Sequence, residues 1–131
     1  MSATSFRYIR WTIAVFYTYG ALVHVMNISG FGGFDWPSAP LKWHILDIVY
    51  LVLDIVVVAG FPAGRRAGYI AFFTAACSQI VLYTVLRSWV VDVPQAFQPS
   101  PDQIAYLDLL AGFHAVTVLI ILAALRLRRS V

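Results

Sequence analysis

The sequence predicts an all-α fold, an integral membrane four-helix bundle, and three observations carry that prediction. The 131 residues are 61% hydrophobic and only 11% charged, against roughly 45–50% and about 25% in soluble domains. The apolar residues gather in four runs, each near the roughly 20 residues that a helix needs to cross hydrocarbon. The basic residues cluster at one side of those runs. Ten-residue alternating segments of a barrel are absent. This composition excludes a disordered chain, an ordinary soluble enzyme and a nucleic-acid module, and the net charge of +3 is too small to argue for a polyanion. The single cysteine excludes an internal disulfide framework and a cysteine-based metal cage.

Residues 1–131 read as one transmembrane domain. The first span runs from Tyr8 to Asn27. Arg7 and Arg10 precede it as they would a signal peptide, but no small-x-small cleavage site follows, and Tyr17, Tyr19 and His24 interrupt the run. The second span, Lys42 to Phe61, starts after Pro37-Ser38-Ala39-Pro40, and the third covers Ala67 to Trp89. The fourth, Gln103 to Leu125, opens on Ser100-Pro101-Asp102-Gln103, a capping box with proline at the first helical position. Gly60, Gly64 and Gly68 straddle the short loop around Pro62 and read as a turn; Ala111 and Ala115 offer a small-residue packing seam.

Charge sets the expected orientation. Arg7, Arg10, Arg65, Arg66, Arg126, Arg128 and Arg129 fall on one side, leaving Lys42 and Arg87 for the other. The positive-inside rule then places both termini in the cytoplasm, in a bacterial inner membrane. All six acidic residues are aspartates, and none lies in an expected cytoplasmic segment. The outer loops, near 28–41 and 90–102, are the long ones, with Trp36, Trp43 and Trp89 as interfacial anchors. Elaborated loops on one face suggest that binding occurs there.

The two hairpins also suggest a parallel duplication. Six residues separate Pro40 from Asp47 and Pro101 from Asp108, with leucine before each aspartate. Such a repeat would place Asp47 and Asp108 at equivalent depths.

An ionisable group inside a span costs about 2.5–3.5 kcal/mol on insertion scales and needs a partner or a purpose. Here these groups form two layers. The outer layer holds His24, His44, Asp47, Tyr83, Arg87, Tyr106 and Asp108; the middle layer holds Tyr17, Asp54, Ser78, Gln79 and His114. The cytoplasmic third is nearly empty of them. Asp47 and Asp54 lie almost in line on the second helix, with His44 a turn away, and Tyr17, Gly20, Ala21 and His24 share a face of the first. The ordinary expectation for Arg87 is an ion pair with Asp47 or Asp108, and for the histidines a wetted interface. Asp54 and His114 are harder to explain that way, being far from headgroups; a neutral pair and a proton relay both fit them.

Other chemistry draws on the same residues. A bis-histidine haem would use His24 and His44, and a metal site would use His24, His44, Asp47 and Asp108; nothing in the spacing demands either, and no metal ligand set is assigned. Met26, Cys77 and the Asn27-Ile28-Ser29 acceptor read as packing or as incidental. No phosphate-binding loop, dinucleotide fingerprint, hydrolase elbow or HExxH helix is present.

The chain resembles the small four-helix DoxX-like membrane proteins in four features. These are Arg10 opening helix 1, the Gly20-x-x-x-His24 spacing, an acidic residue in helix 2, and Arg65-Arg66-Ala67-Gly68-Tyr69-Ile70-Ala71 opening helix 3. The resemblance covers the first three spans. It departs in using aspartate where that family more often has glutamate, and in carrying Asp108 and His114 in helix 4. It implies a place near membrane redox systems, including quinone-linked sulfur oxidation.

The leading expectation is an outward-facing polar cavity, with His24, His44, Asp47, Tyr83, Arg87 and Asp108 binding a small ligand such as a quinone headgroup. The same surface would serve an accessory subunit of a membrane redox complex. A second expectation is proton or small-solute transport, with Tyr17, Asp54, Gln79 and His114 as a buried relay. A third is a structural or assembly subunit without a ligand. An enzyme in its own right would use the His–Asp layer as acid and base. The expected partners are the lipid bilayer, other membrane subunits or a second copy, and no nucleic acid.

Overall fold

A computed structural model describes residues 2–129 and shows an all-helical chain. α1 spans Ala3–Ser29, α2 Leu41–Gly60, α3 Arg66–Tyr83, α4 Arg87–Val91 and α5 Pro101–Arg129, with a single 3-10 turn over Gln95–Phe97. Three of these, α1, α2 and α5, are long and apolar enough to cross a membrane. Val15, Leu22, Ile48, Val52, Ile55, Val116 and Leu119 are exposed along the helix flanks. Water disfavours such a surface and hydrocarbon accepts it, so this is an integral membrane protein.

Local chemistry accounts for the helix ends. The Ser2 side chain accepts from Ser5 N at 3.0 Å and caps α1. Gly30, at φ 67°, closes that helix, with Gly30 N bonded to Asn27 O and Phe31 N to Met26 O. This is a Schellman arrangement, and glycine adopts its left-handed residue without a Cβ penalty. The capping box of α5 is formed: Gln103 N donates to Ser100 Oγ at 3.3 Å, and Ser100 N donates to Gln103 Oε1 at 2.8 Å.

The third expected span, Ala67 to Trp89, is corrected. α3 has 18 residues and stops at Tyr83; Thr84 stands at φ −116°, ψ −77°, and the chain restarts as the short α4. Two interactions explain the break. Thr84 Oγ1 donates back to Ile80 O at 2.6 Å, a contact that bends helices. Arg87 Nε donates to Tyr83 O at 2.8 Å, so a side chain satisfies a carbonyl at the helix end. α4 is held against the start of α2. Lys42 Nζ donates to the carbonyls of Trp89 and Asp92, both at 2.5 Å, and Trp43 Nε1 donates to Val90 O at 3.1 Å.

α1 packs on α2, α2 on α3, and α3 on α5. α1 and α5 close the ring mainly through side chains: Phe16 stacks on Phe113 with centroids 3.6 Å apart. The half of the bundle near the short 61–65 loop is packed solid around Phe6, Val57, Phe61, Phe72 and Ile121, all fully buried. Phe61 and Phe72 stack at 4.7 Å there. α2 and α3 meet in this half so closely that a Cβ on Gly68 would collide with the backbone of Gly60 and Phe61. Gly64, at φ 73°, makes the turn between them.

Gly68→Ala is therefore expected to lower stability by about 1–3 kcal/mol through overpacking against backbone. Gly112→Ala, whose added Cβ meets nothing within 4 Å, should cost nothing and gain up to about 1 kcal/mol of helix propensity. Thermal unfolding of both variants in one mild detergent checks the contrast.

Candidate functional site

The other half of the bundle, beneath the long loops, is hollow. A cavity of about 710 Å³ runs from Phe34 and Phe97 in those loops down to Asp54, Gln79 and His114 inside the bundle. Its size lies within the roughly 300–1,000 Å³ of small-molecule sites. Phe34, Trp43 and Phe97 gather at the loop end, with Phe34–Trp43 centroids 6.2 Å apart and Trp43–Phe97 centroids 6.1 Å apart. Tyr19 and Tyr106 approach each other across α1 and α5, and both line the cavity.

Two polar clusters occupy its walls. In the first, α2 presents Asp47, Tyr50 and Asp54 at i, i+3 and i+7, and all three are buried. Across from them, His24 on α1 stands between the carboxylates. Its Nδ1 donates to Asp47 Oδ1 at 2.7 Å, and its Nε2 lies 3.9 Å from Asp54 Oδ2. Asn27, one turn from His24, donates its amide to the same Asp47 oxygen at 3.2 Å. His24 also lies nearly parallel to the Tyr50 ring, centroids 6.2 Å apart. Tyr50 OH donates to Ser78 Oγ at 2.8 Å, and Ser78 Oγ donates on to the Thr74 carbonyl.

Asp54 differs from Asp47. It is 3% exposed, its Oδ1 is buried without a hydrogen-bond partner, and its Oδ2 has only the distant His24 nitrogen. Gly20 on α1 leaves the room beside it, since a Cβ there would stand 2.6 Å from Asp54 Oδ2.

The second cluster joins α1, α3 and α5. His114 Nε2 donates to Gln79 Oε1 at 2.6 Å, and Tyr17 OH lies 3.4 Å from His114 Nδ1. The acceptor on Gln79 places the imidazole proton on Nε2, so Nδ1 accepts from the tyrosine. Tyr17 and His114 are each 2% exposed. No hydrogen bond joins this cluster to the first among the described residues.

The expected site residues divide accordingly. His24, Asp47 and Tyr83 of the expected ligand set line the cavity, and so do Tyr17, Asp54, Gln79 and His114 of the expected relay. The two layers open into one space. His44, Arg87 and Asp108 do not line it. His44 Nε2 lies 2.5 Å from the Trp36 carbonyl, with its ring 4.1 Å from the indole. Arg87 pairs with Asp108, whose side chain is 60% exposed, as one of the two expected ion pairs would have it. The metal quartet and the bis-histidine pair are thus not assembled, because His44 and Asp108 are engaged elsewhere; no metal-holding group of three His, Cys, Asp or Glu occurs among the described residues. Asp47, buried on His24, and Asp108, exposed on Arg87, have unlike surroundings despite their parallel spacing from proline.

Asn27, Tyr50 and the space-making role of Gly20 were not anticipated. The signal lay in helical spacing: Asn27 follows His24 by three, and Tyr50 falls between Asp47 and Asp54 on one face.

His24→Ala removes the partner of one buried carboxylate and the neighbour of another, and should cost about 3 kcal/mol. Asp108→Asn breaks only an exposed pair and should cost less than about 1 kcal/mol. Thermal melts in detergent distinguish them.

No protein-family profile matches the sequence, and neither the curated proteins nor the solved structures compared with it contain a match.

Proposed function

We propose that this protein is a membrane-embedded binding protein for a small, lipid-soluble molecule, held by its polar head against His24, Asp47 and Asp54. The carrying observation is the cavity itself: about 710 Å³ of space walled by aromatic and aliphatic side chains, with a few convergent polar groups at its floor. A purely structural bundle would close such a space, because empty volume forfeits dispersion contacts. Asp54, without a hydrogen bond, also argues against polar residues serving only as helix glue.

Binding is favoured over transport by the packed half. Phe61, Phe72 and Ile121 fill the bundle below the cavity, and the one buried polar side chain between them and His114, Thr117, turns its hydroxyl to the Phe113 and His114 carbonyls of its own helix. Among the described residues, no chain of polar side chains continues from Asp54 through this half. A quinone headgroup remains one ligand of the proposed kind, but of the donors expected for its carbonyls only His24 and Tyr83 line the cavity, since His44 and Arg87 are engaged outside it. In this reading α3 and α4 together make the fourth crossing and the arginine-rich ends face the cytoplasm. The cavity then opens to the opposite side, consistent with an inner-membrane protein working beside a redox complex.

Two measurements test the reading. Mass spectrometry of extracts from detergent-purified protein should find a near-stoichiometric small molecule. Leu110→Trp, which adds bulk at a lining position, should reduce it about tenfold or more; retention at the wild-type level would place the molecule elsewhere. For topology, a Cys77→Ser chain carrying a new cysteine at Ala63 or at Gln95 should react with an impermeant maleimide from opposite sides. Labelling from one side would remove the four-crossing arrangement.

A further inference from the structure

The cavity has a sign. Asp35, Asp47 and Asp54 line it, and no lysine or arginine does among the described residues. Lys42 is turned to the carbonyls of Trp89 and Asp92, and Arg87 to Asp108. The buried cluster counts one histidine against two carboxylates, so with both carboxylates ionised it is net negative even with His24 as imidazolium. Asp47 is satisfied by His24 and Asn27. Asp54 is satisfied by nothing: Oδ1 has no partner, and Oδ2 stands 3.9 Å from His24 Nε2. A buried carboxylate left in this state is costly, and a bound cation with N–H donors would relieve it.

The surroundings narrow the kind of cation. A hard metal ion asks for six or so oxygens, whereas the walls around Asp54 are largely rings. Tyr17, Tyr50, Tyr83 and Phe16 line the same space. Ring faces attract an organic ammonium, and aliphatic neighbours such as Leu110 accept its apolar remainder. A quinone brings only acceptors and would set its carbonyl oxygens against the ionised Asp54, which only accepts.

We infer that the ligand class is a small apolar molecule bearing one protonated amine. Its N–H group donates to Asp54, whose carboxylate is seated against Gly20, and its body lies along the aromatic walls toward the loops. This inference rests on the binding function proposed above and names its ligand chemistry.

The test is calorimetric titration of the protein in zwitterionic lipid nanodiscs, with empty nanodiscs as reference. N-benzylpiperidine, cationic at neutral pH, is compared with N-benzoylpiperidine, its neutral amide, and with decylubiquinone. The amine should bind about tenfold or more tighter than the amide, the scale of one desolvated charge-assisted contact. Asp54→Asn should erase that preference. Should this variant not fold, Gly20→Ala serves instead, because its methyl group would displace the Asp54 carboxylate from its seat and weaken the amine more than the amide. Equal affinity for amine and amide, or tighter binding of the quinone, overturns the inference and leaves the binding cavity standing. Saturable binding of none of the three, together with no co-purified molecule, overturns both.

Discussion

Placing a carboxylate in hydrocarbon costs a few kcal/mol, and α2 places two there on one face, seven residues apart. What makes this tolerable is a single imidazole from the neighbouring helix. His24 reaches Asp47 at hydrogen-bond distance and stops short of Asp54. The register of α1 against α2 follows from that contact. Gly20, one turn before His24, must then face Asp54, and Asn27, one turn after, must meet Asp47. The position of the cavity floor follows in turn, because the same register sets Tyr17 opposite His114 and Phe16 against Phe113.

The bundle is built in two unlike halves, and the division reflects where side-chain bulk falls. Near the short loop, glycines at 60 and 68 bring α2 and α3 together, and phenylalanines fill what remains. Toward the long loops the helix interiors carry glycine, asparagine, aspartate and tyrosine, and polar heads face space. α1 and α5 touch through rings more than through backbone, which lets the wall between them be thin. The early end of α3 adds to this: past Tyr83 the chain becomes a cover over the cavity, held to α2 by Lys42 and Trp43.

Much of this was legible in residue types and spacing. Hydropathy marked the helical runs, Ser100 and Gln103 marked the start of α5, and the scarcity of polar residues near the arginine-rich end corresponds to the packed half. Asp54 and His114 stood out because no headgroup could reach them. Other features depended on rotation and on competition, which spacing alone does not contain. His44 is a turn from Asp47 yet leaves for the Trp36 carbonyl, since the loop before α2 folds back over it. Asp108 matches Asp47 in its distance from a proline, but it faces outward to Arg87. The break at Thr84 is invisible to hydropathy, because Val85 and Leu86 continue the apolar run while Thr84 and Arg87 bond to the backbone behind them.

The glycine crossing of α2 and α3 has a mechanical meaning. Two helices in backbone contact at one end, and joined at the other only by side chains such as Tyr50 on Ser78, behave like the arms of a clothes-peg. The crossing is the spring, and small angular changes there become larger displacements at the loop end. Stiffness should therefore grade along the bundle axis, highest around residues 57–76 and lowest in the cover of 84–100. Any change in volume then falls at the end where the cavity lies, while the packed end stays closed.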